Sequence, residues 1–88
     1  MKGYKVELSS PAQNYLSRLD RPTKERIVRV LWQLAENPDS NLLDIKPLPG
    51  RSGQLRLRIG DYRIIYRIEK DVLIIYVIAI GSRGDVYK

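Results

Sequence analysis

The sequence contains no cysteine and no histidine. Without cysteine, the chain has neither disulfide bonds nor thiolate chemistry. Without histidine, it lacks the most common general base and the most common metal ligand of proteins. A metal site would need more carboxylates or histidines than this chain offers, so we predict no metal and no cofactor. Any catalysis must therefore depend on other polar side chains.

Long apolar segments are also scarce. Residues 1–7 lack the apolar core of a signal peptide. The longest apolar run, Val72–Ile80, is too short to cross a membrane as a helix. The 88 residues suffice for one domain with a small core. We therefore predict a single cytoplasmic domain over residues 1–88, with no membrane partner.

Negative charge is in short supply, because ten Asp and Glu face sixteen Lys and Arg. The excess is concentrated in residues 51–88, where six of the eight basic residues are arginines. The planar guanidinium fork suits bidentate phosphate binding, which favours a polyanion site, most simply for nucleic acid. From charge alone, a solvated basic surface explains the excess equally well.

Residues 54–67 predict a β-hairpin. Apolar residues alternate with arginines from Leu55 to Ile59, with the period of two that is typical of a half-buried strand. Gly60-Asp61 fits a two-residue type II′ turn. Pairing through this turn places four arginines on one side of the hairpin, which we call the arginine face: Arg56, Arg58, Arg63 and Arg67. Like charges on neighbouring strands repel, so the clustering of four arginines on one face requires an explanation.

The first half of the chain predicts a strand and two helices. Tyr4–Leu8 alternates like a short strand, and Ser10 is predicted to cap a helix over residues 10–19. A second amphipathic helix runs from the break at residues 20–23 to Pro38. Its Trp32 is interpreted as the edge of the core rather than a partner contact. Residues 39–53, rich in proline and glycine, are predicted to form a loop.

The element order therefore predicts an α+β fold, β-α-α-β-β-β, with a helical hairpin packed on one face of a small twisted, mainly antiparallel sheet. Val72–Ile80 is apolar enough to be a strand buried on both faces. If Glu69 pairs with Val72, Ile78 lies beside Arg63. The chain would then leave the sheet near the Gly60 turn.

That path delivers Arg83 and Tyr87 to the end of the sheet that holds Arg58 and Arg63. Arg56 would lie about 7 Å further along the same face. Residues from distant parts of the sequence are thus predicted to converge on one patch. Asp61 and Asp85 are candidates for holding the arginines in place.

Several segments resemble the RelE/ParE superfamily of bacterial and archaeal toxins, on the RelE side. They are the hairpin string Leu55-Arg-Leu-Arg-Ile-Gly-Asp-Tyr-Arg-Ile-Ile-Tyr66, the strand ending Val77-Ile-Ala-Ile-Gly81, the closing Arg83-Gly-Asp-Val-Tyr87 and the loop Asp44-Ile-Lys-Pro-Leu-Pro-Gly50. The resemblance covers nearly the whole chain.

The resemblance implies a type II toxin that cuts mRNA in the ribosomal A site, in contact with 16S rRNA, and that a cognate antitoxin inactivates. Carried over to matching positions, it implies catalytic roles for Arg56, Arg63, Arg83 and Tyr87. Arg58, Arg51 and Lys46 are expected to bind RNA phosphates. Arg67 lies further away and is expected to be solvated or to face the antitoxin.

The implied cleavage is an attack of the 2′-OH on the adjacent phosphate, which needs no metal and no water. Arginines would stabilise the developing charge, and Tyr87 is the one candidate in the patch with a titratable proton. Its pKa would have to be lowered by the arginines for it to act as the base. This sequence departs from relatives that carry lysines at the two hairpin positions and a histidine at Ser82, which we interpret as a turn residue.

Two other functions stay open. One is a ParE-like toxin that acts on DNA gyrase, and the other is an RNA-binding module without catalysis. For the antitoxin, the predicted contact is the arginine face together with Ile74, Tyr76 and Ile78, because an exposed apolar patch on a soluble protein usually binds a partner.

Overall fold

The computed structural model describes residues 3–82, which form one five-stranded mixed sheet covered by two helices. The elements in chain order are β1 (Lys5–Leu8), α1 (Ser10–Ser17), α2 (Arg21–Glu36), β2 (Asp44–Pro47), β3 (Leu55–Ile59), β4 (Tyr62–Glu69) and β5 (Ile74–Ser82). The strand order is β1-β5-β4-β3-β2; β1 pairs with β5 in parallel, and the other pairs are antiparallel. This confirms the predicted α+β class. No helix in this part of the chain is long and apolar enough to cross a membrane.

Both helices begin at side-chain caps. The Ser9 hydroxyl accepts a hydrogen bond from the Ala12 amide, so the cap of α1 is Ser9 and not the predicted Ser10. Asp20 caps α2 by accepting from the Thr23 amide. Each cap satisfies an amide that has no partner inside its helix. Helix α1 ends at Ser17, two residues before the predicted end.

The core lies between the helices and one face of the sheet. From α2, the buried side chains recur at helical spacing: Ile27, Leu31, Leu34 and Ala35. The sheet contributes alternate residues of its three central strands: Leu57, Ile59, Ile64, Tyr66, Ile75, Val77 and Ile80. Burial of each aliphatic side chain stabilises the fold by about 1.5–3 kcal/mol. The other face of the central strands is the arginine face.

The hairpin of β3 and β4 has the predicted register. Arg58 pairs with Arg63, and Ile59 pairs with Tyr62, across the Gly60-Asp61 turn. Gly60 has a φ of +58°, whereas the φ of Asp61 is not positive, as a type II′ turn requires. A Cβ on Gly60 would also lie 3.1 Å from the guanidinium of Arg26 on α2.

The predicted register of the last strand is wrong by three residues. Arg63 pairs with Gly81 rather than with Ile78. Two residues of this shift come from the loop before β5. Val72 and Leu73 are exposed turn residues, so Glu69 pairs with Ile74 rather than with Val72. The third comes from a β-bulge. Ile65 pairs with Ala79 and Tyr66 with Val77, so that Ile78 is the extra residue.

Residues 39–53 are not all loop, because β2 pairs with β3 along the sheet edge. Pro47 ends this strand, which keeps it short. Ser82, predicted to be a turn residue, is instead the last residue of β5 and pairs with Tyr62.

Candidate phosphate-binding site

The arginine face brings together three of the predicted site residues. Arg58 and Arg63 are cross-strand partners, and Arg56 lies two residues along β3. Antiparallel partners have Cβ atoms about 5 Å apart, so the three arginine side chains project from one patch of the sheet. Arg83 and Tyr87, predicted to join them, lie outside the described residues.

A carboxylate that the sequence analysis did not single out pairs with two of these arginines. The Asp44 Oδ1 accepts from the Arg56 Nη2 at 3.1 Å, and the Asp44 Oδ2 lies 2.8 Å from the Arg58 Nε. Asp44 belongs to β2 and is the cross-strand partner of Arg58. The carboxylates expected in this role were Asp61, which is exposed with no ion pair within residues 3–82, and Asp85, which lies outside them.

The environment of Asp44 favours its charged form. Partial burial alone would raise the pKa of this carboxyl, but the attraction of Arg56 and Arg58 outweighs burial and holds its pKa below the ordinary value. Lys46, on the same strand, acts in the same direction. Asp44 is therefore an anion at neutral pH.

Arg63 differs from its two neighbours, because it has no carboxylate partner within residues 3–82. Its Nη1 is buried and has no hydrogen-bond partner among residues 3–82. Buried polar atoms without a partner are rare and costly, and a buried cationic donor is suited to an incoming anion. Within the same part of the chain, no group of three or more carboxylates is placed to hold a metal ion.

Lys46 and Arg51, both predicted to bind phosphate, lie in different places. Lys46 is the cross-strand partner of Arg56, so it extends the arginine face onto β2. Arg51 lies in the loop between β2 and β3, on an open cleft of about 740 Å³ that Lys70 also lines. The structure thus places Lys46 beside the patch and Arg51 outside it.

The far end of the arginine face is occupied by Arg67. Its guanidinium forms an ion pair with Glu69 and lies 4.7 Å from the centre of the Tyr76 ring. Ile74, the partner of Glu69, shares this side of the sheet with Tyr76, as predicted. Ile78 does not join them in the ladder, because it sits at the bulge.

Trp32 is exposed to 66%, so the interpretation as the edge of the core is wrong. It lines a groove of about 570 Å³ between α2 and β1, together with Val28, Leu31 and Leu16. Strand β1 is at the edge of the sheet, and its outer side is unpaired within residues 3–82. An exposed tryptophan in an apolar groove is typical of a surface that contacts a partner.

The comparison with protein families identifies the class. Residues 6–87 match the family model described as the ParE toxin of the type II toxin-antitoxin system parDE. The chain therefore belongs to this family, within the RelE/ParE superfamily of type II toxins. It is also 28% identical to an Escherichia coli protein described as a RelE-like toxin, over 96% of this chain and 90% of the relative.

Solved structures of RelE toxins share the fold. The toxin of the RelBE2 toxin-antitoxin complex from Mycobacterium tuberculosis is similar, with 25% identity and a TM-score of 0.76, over 92% of this chain and 99% of that chain. A chain of the archaeal RelE-RelB complex from Pyrococcus horikoshii gives a TM-score of 0.79 at 24% identity, and the match covers 94% of this chain and 98% of that chain. The isolated E. coli RelE toxin gives a TM-score of 0.74 at 20% identity, and the match covers 96% of this chain and 90% of that chain.

Proposed function

We propose that this protein is a ribosome-dependent endoribonuclease that cuts mRNA in the A site. One observation carries the proposal: three arginines from two strands form a patch on the face that the helices leave open, and one of them has a buried guanidinium nitrogen that no group of the described part of the chain bonds. A patch of that kind is suited to a phosphodiester. Its target on the ribosome places the protein in the cytoplasm.

The chemistry that fits the patch is transphosphorylation. The 2′-oxygen of one nucleotide attacks its own 3′-phosphorus while the bond to the 5′-oxygen of the next nucleotide breaks. The products are a 2′,3′-cyclic phosphate and a free 5′-hydroxyl. The phosphorane gains a second negative charge, and guanidinium groups placed around it stabilise that charge in the transition state.

Within this proposal, Arg63 and Arg56 bind the scissile phosphate, and Arg58 binds it or an adjacent one. Arg83 clamps the phosphate or protonates the leaving oxygen, and Tyr87 accepts the proton of the 2′-hydroxyl. Support for the last two comes from β5, whose final residue Ser82 pairs with Tyr62 at the turn end of the sheet. Tyr62 is followed directly by Arg63, the cross-strand partner of Arg58.

Further phosphates of the bound strand would contact Lys46, which extends the patch onto β2. Arg51 would contact RNA on the ribosome only beyond that patch. Both roles are electrostatic, so their loss should weaken binding without changing the cut site.

The second candidate is inhibition of DNA gyrase, because the matching family model is described by its ParE toxin. Arg56, Arg58 and Arg63 around an unpartnered donor favour the nuclease, since gyrase binding requires no phosphate patch. An RNA-binding module without catalysis is the third candidate, because Ser82 stands where relatives carry histidine.

Primer extension on a translated mRNA after induction separates the three functions. We expect cuts within codons at the A site, and we expect Arg63→Ala, Arg83→Ala and Tyr87→Phe to abolish them. Arg29→Ala, on the exposed side of α2, is the control that removes one positive charge elsewhere. DNA damage without mRNA cuts would support gyrase inhibition, and fully toxic Arg83→Ala and Tyr87→Phe variants would refute the assigned site.

We also propose that a cognate antitoxin holds the toxin inactive, since several similar toxins were solved as complexes with RelB. An antitoxin segment with apolar and acidic residues would fit the arginine face beside Tyr76. A second contact is the groove at Trp32. Trp32→Ala should weaken the complex in calorimetry, whereas Leu42→Ala, which truncates a side chain exposed to 91% outside the groove, should not.

A further inference from the structure

The arginine face would be unstable as a group of bare charges. Arg58 and Arg63 are direct cross-strand partners, a pairing of like charges that is unfavourable in a sheet. The edge strand β2 adds one negative charge to this face, at Asp44. The hairpin of β3 and β4 therefore lacks a counter-charge for Arg56 and Arg58, and β2 supplies it through Asp44.

The two oxygens of Asp44 go to two different arginines. Oδ1 meets the Arg56 Nη2 at 3.1 Å, and Oδ2 meets the Arg58 Nε at 2.8 Å. A guanidinium group has five N–H donors, so each of these contacts occupies only one donor of its arginine. The Arg56 side chain is only 11% exposed and that of Arg58 is 51% exposed. Asp44 thus fixes both side chains without covering Arg58.

We propose that Asp44 is a positioning residue of this site: it holds the Arg56 and Arg58 guanidinium groups in the arrangement that receives RNA phosphates. The inference rests on the proposed function only in taking RNA as the ligand. Ordering a long side chain on binding costs free energy, and a carboxylate that has already ordered two of them removes much of that cost.

An alternative role for the same contacts predicts the opposite result. If Asp44 were a competing anion that phosphate must displace, its removal would release two guanidinium groups and tighten RNA binding. If it is a positioning residue, its removal weakens binding although the net charge becomes more positive. The sign of the change therefore decides between the two roles.

The experiment measures binding of a short 2′-O-methyl RNA, which cannot be cleaved by 2′-hydroxyl attack, at several salt concentrations. We expect Asp44→Asn to weaken binding by about three- to tenfold, the cost of ordering one or two side chains again. Asp61→Asn is the matched control, because it makes the same charge change at an exposed turn residue. It should leave binding unchanged or slightly tighter. Asp44→Glu, which keeps the charge and both oxygens, should recover most of the affinity.

A second readout observes the arginines without RNA. In NMR spectra of the folded protein, the Arg58 Nε–H should give a sharp, slowly exchanging signal that Asp44→Asn broadens or loses and Asp61→Asn retains. Equal order of Arg58 in all variants would overturn the inference, and so would RNA binding that tightens in Asp44→Asn as much as in Asp61→Asn. Absence of mRNA cleavage by the wild-type protein would refute the proposed nuclease activity. It would not change what the RNA-binding and NMR measurements say about Asp44.

Discussion

The two faces of β4 are determined by different parts of the chain. On the helix side, Ile64 and Tyr66 are fully buried against the core. On the other side, Arg63 and Arg67 pair with Gly81 and Tyr76 of β5, and Arg67 also forms an ion pair with Glu69. Ile65 lies between those arginines and is nevertheless buried. The arginine face is therefore packed only in part: Ile65 is buried and Arg63 is partly shielded from solvent, whereas Arg58 and Arg67 are exposed.

The sharpest test of this comparison uses two adjacent residues of β4. Ile64→Ala should lower the free energy of unfolding by about 2–5 kcal/mol, because it leaves a cavity in the core. That is a large share of the roughly 5–15 kcal/mol available to a small domain. Arg63→Ala should change the free energy of unfolding little and reduce the proposed cleavage by roughly 10²- to 10³-fold. Urea unfolding and primer extension measure the two effects, and the reverse pattern would contradict this division between the faces.

The next effect concerns Ser9, which links α1 to the bulge of β5. Its hydroxyl caps the helix and also donates to the Ile78 carbonyl at 2.7 Å. Ser9→Ala should cost about 1–2 kcal/mol of unfolding free energy, since both contacts are lost. Ser10→Ala is the control, because the Ser10 side chain is exposed and does not cap the helix. Equal destabilisation by the two variants in urea unfolding would refute the assigned cap.

A smaller effect is expected from removing the hydroxyl of Tyr66, which is buried and has no hydrogen-bond partner in the described chain from residue 3 to residue 82. Tyr66→Phe should keep or raise the free energy of unfolding, by up to about 1 kcal/mol, because it removes an unsatisfied polar group. Burial, with a contribution from Asp39, raises the pKa of Tyr66 to about 12. The unfolded chain therefore ionises first, and stability should fall as pH rises from about 10 to 12. Thermal unfolding should show a weaker alkaline decline in Tyr66→Phe; an unchanged decline would contradict this account.

The smallest effect is expected in acid. The arginines outweigh burial and lower the pKa of Asp44, and the hydrogen bond from Thr23 lowers the pKa of Asp20. A lowered pKa contributes stability above the ordinary carboxyl value, which is lost as pH falls through the folded-state pKa. The melting temperature, measured by thermal unfolding, should therefore fall below about pH 4. Asp44→Asn should flatten that decline slightly, and an unchanged slope would contradict the assigned role of the arginines.

The hairpin could be predicted from its sequence because all its determinants are local. Alternation from Leu55 to Ile59 and the Gly60-Asp61 turn were sufficient to predict every cross-strand pair of β3 and β4. The register of β5 was not predictable in this way. A loop of four residues and a bulge at Ile78 each shift it, and neither has a distinct sequence pattern.

The counter-charge of the site was missed for a related reason. Asp44 starts a four-residue strand that ends at Pro47, in a segment whose prolines and glycines are typical of loops. Only pairing with β3 brings it opposite Arg58. The one available signal was the apolar Ile45 between Asp44 and Lys46, an alternation too short to identify a strand.

The pairing of β1 with β5 has a consequence for how the protein is made. Lys5 pairs with Ile74, and the Ser9 hydroxyl reaches a carbonyl 69 positions later in the chain. Contacts over such a separation form late and slow folding, because a long chain segment must first be closed into a loop. The sheet therefore cannot be completed during synthesis until β5 has been translated.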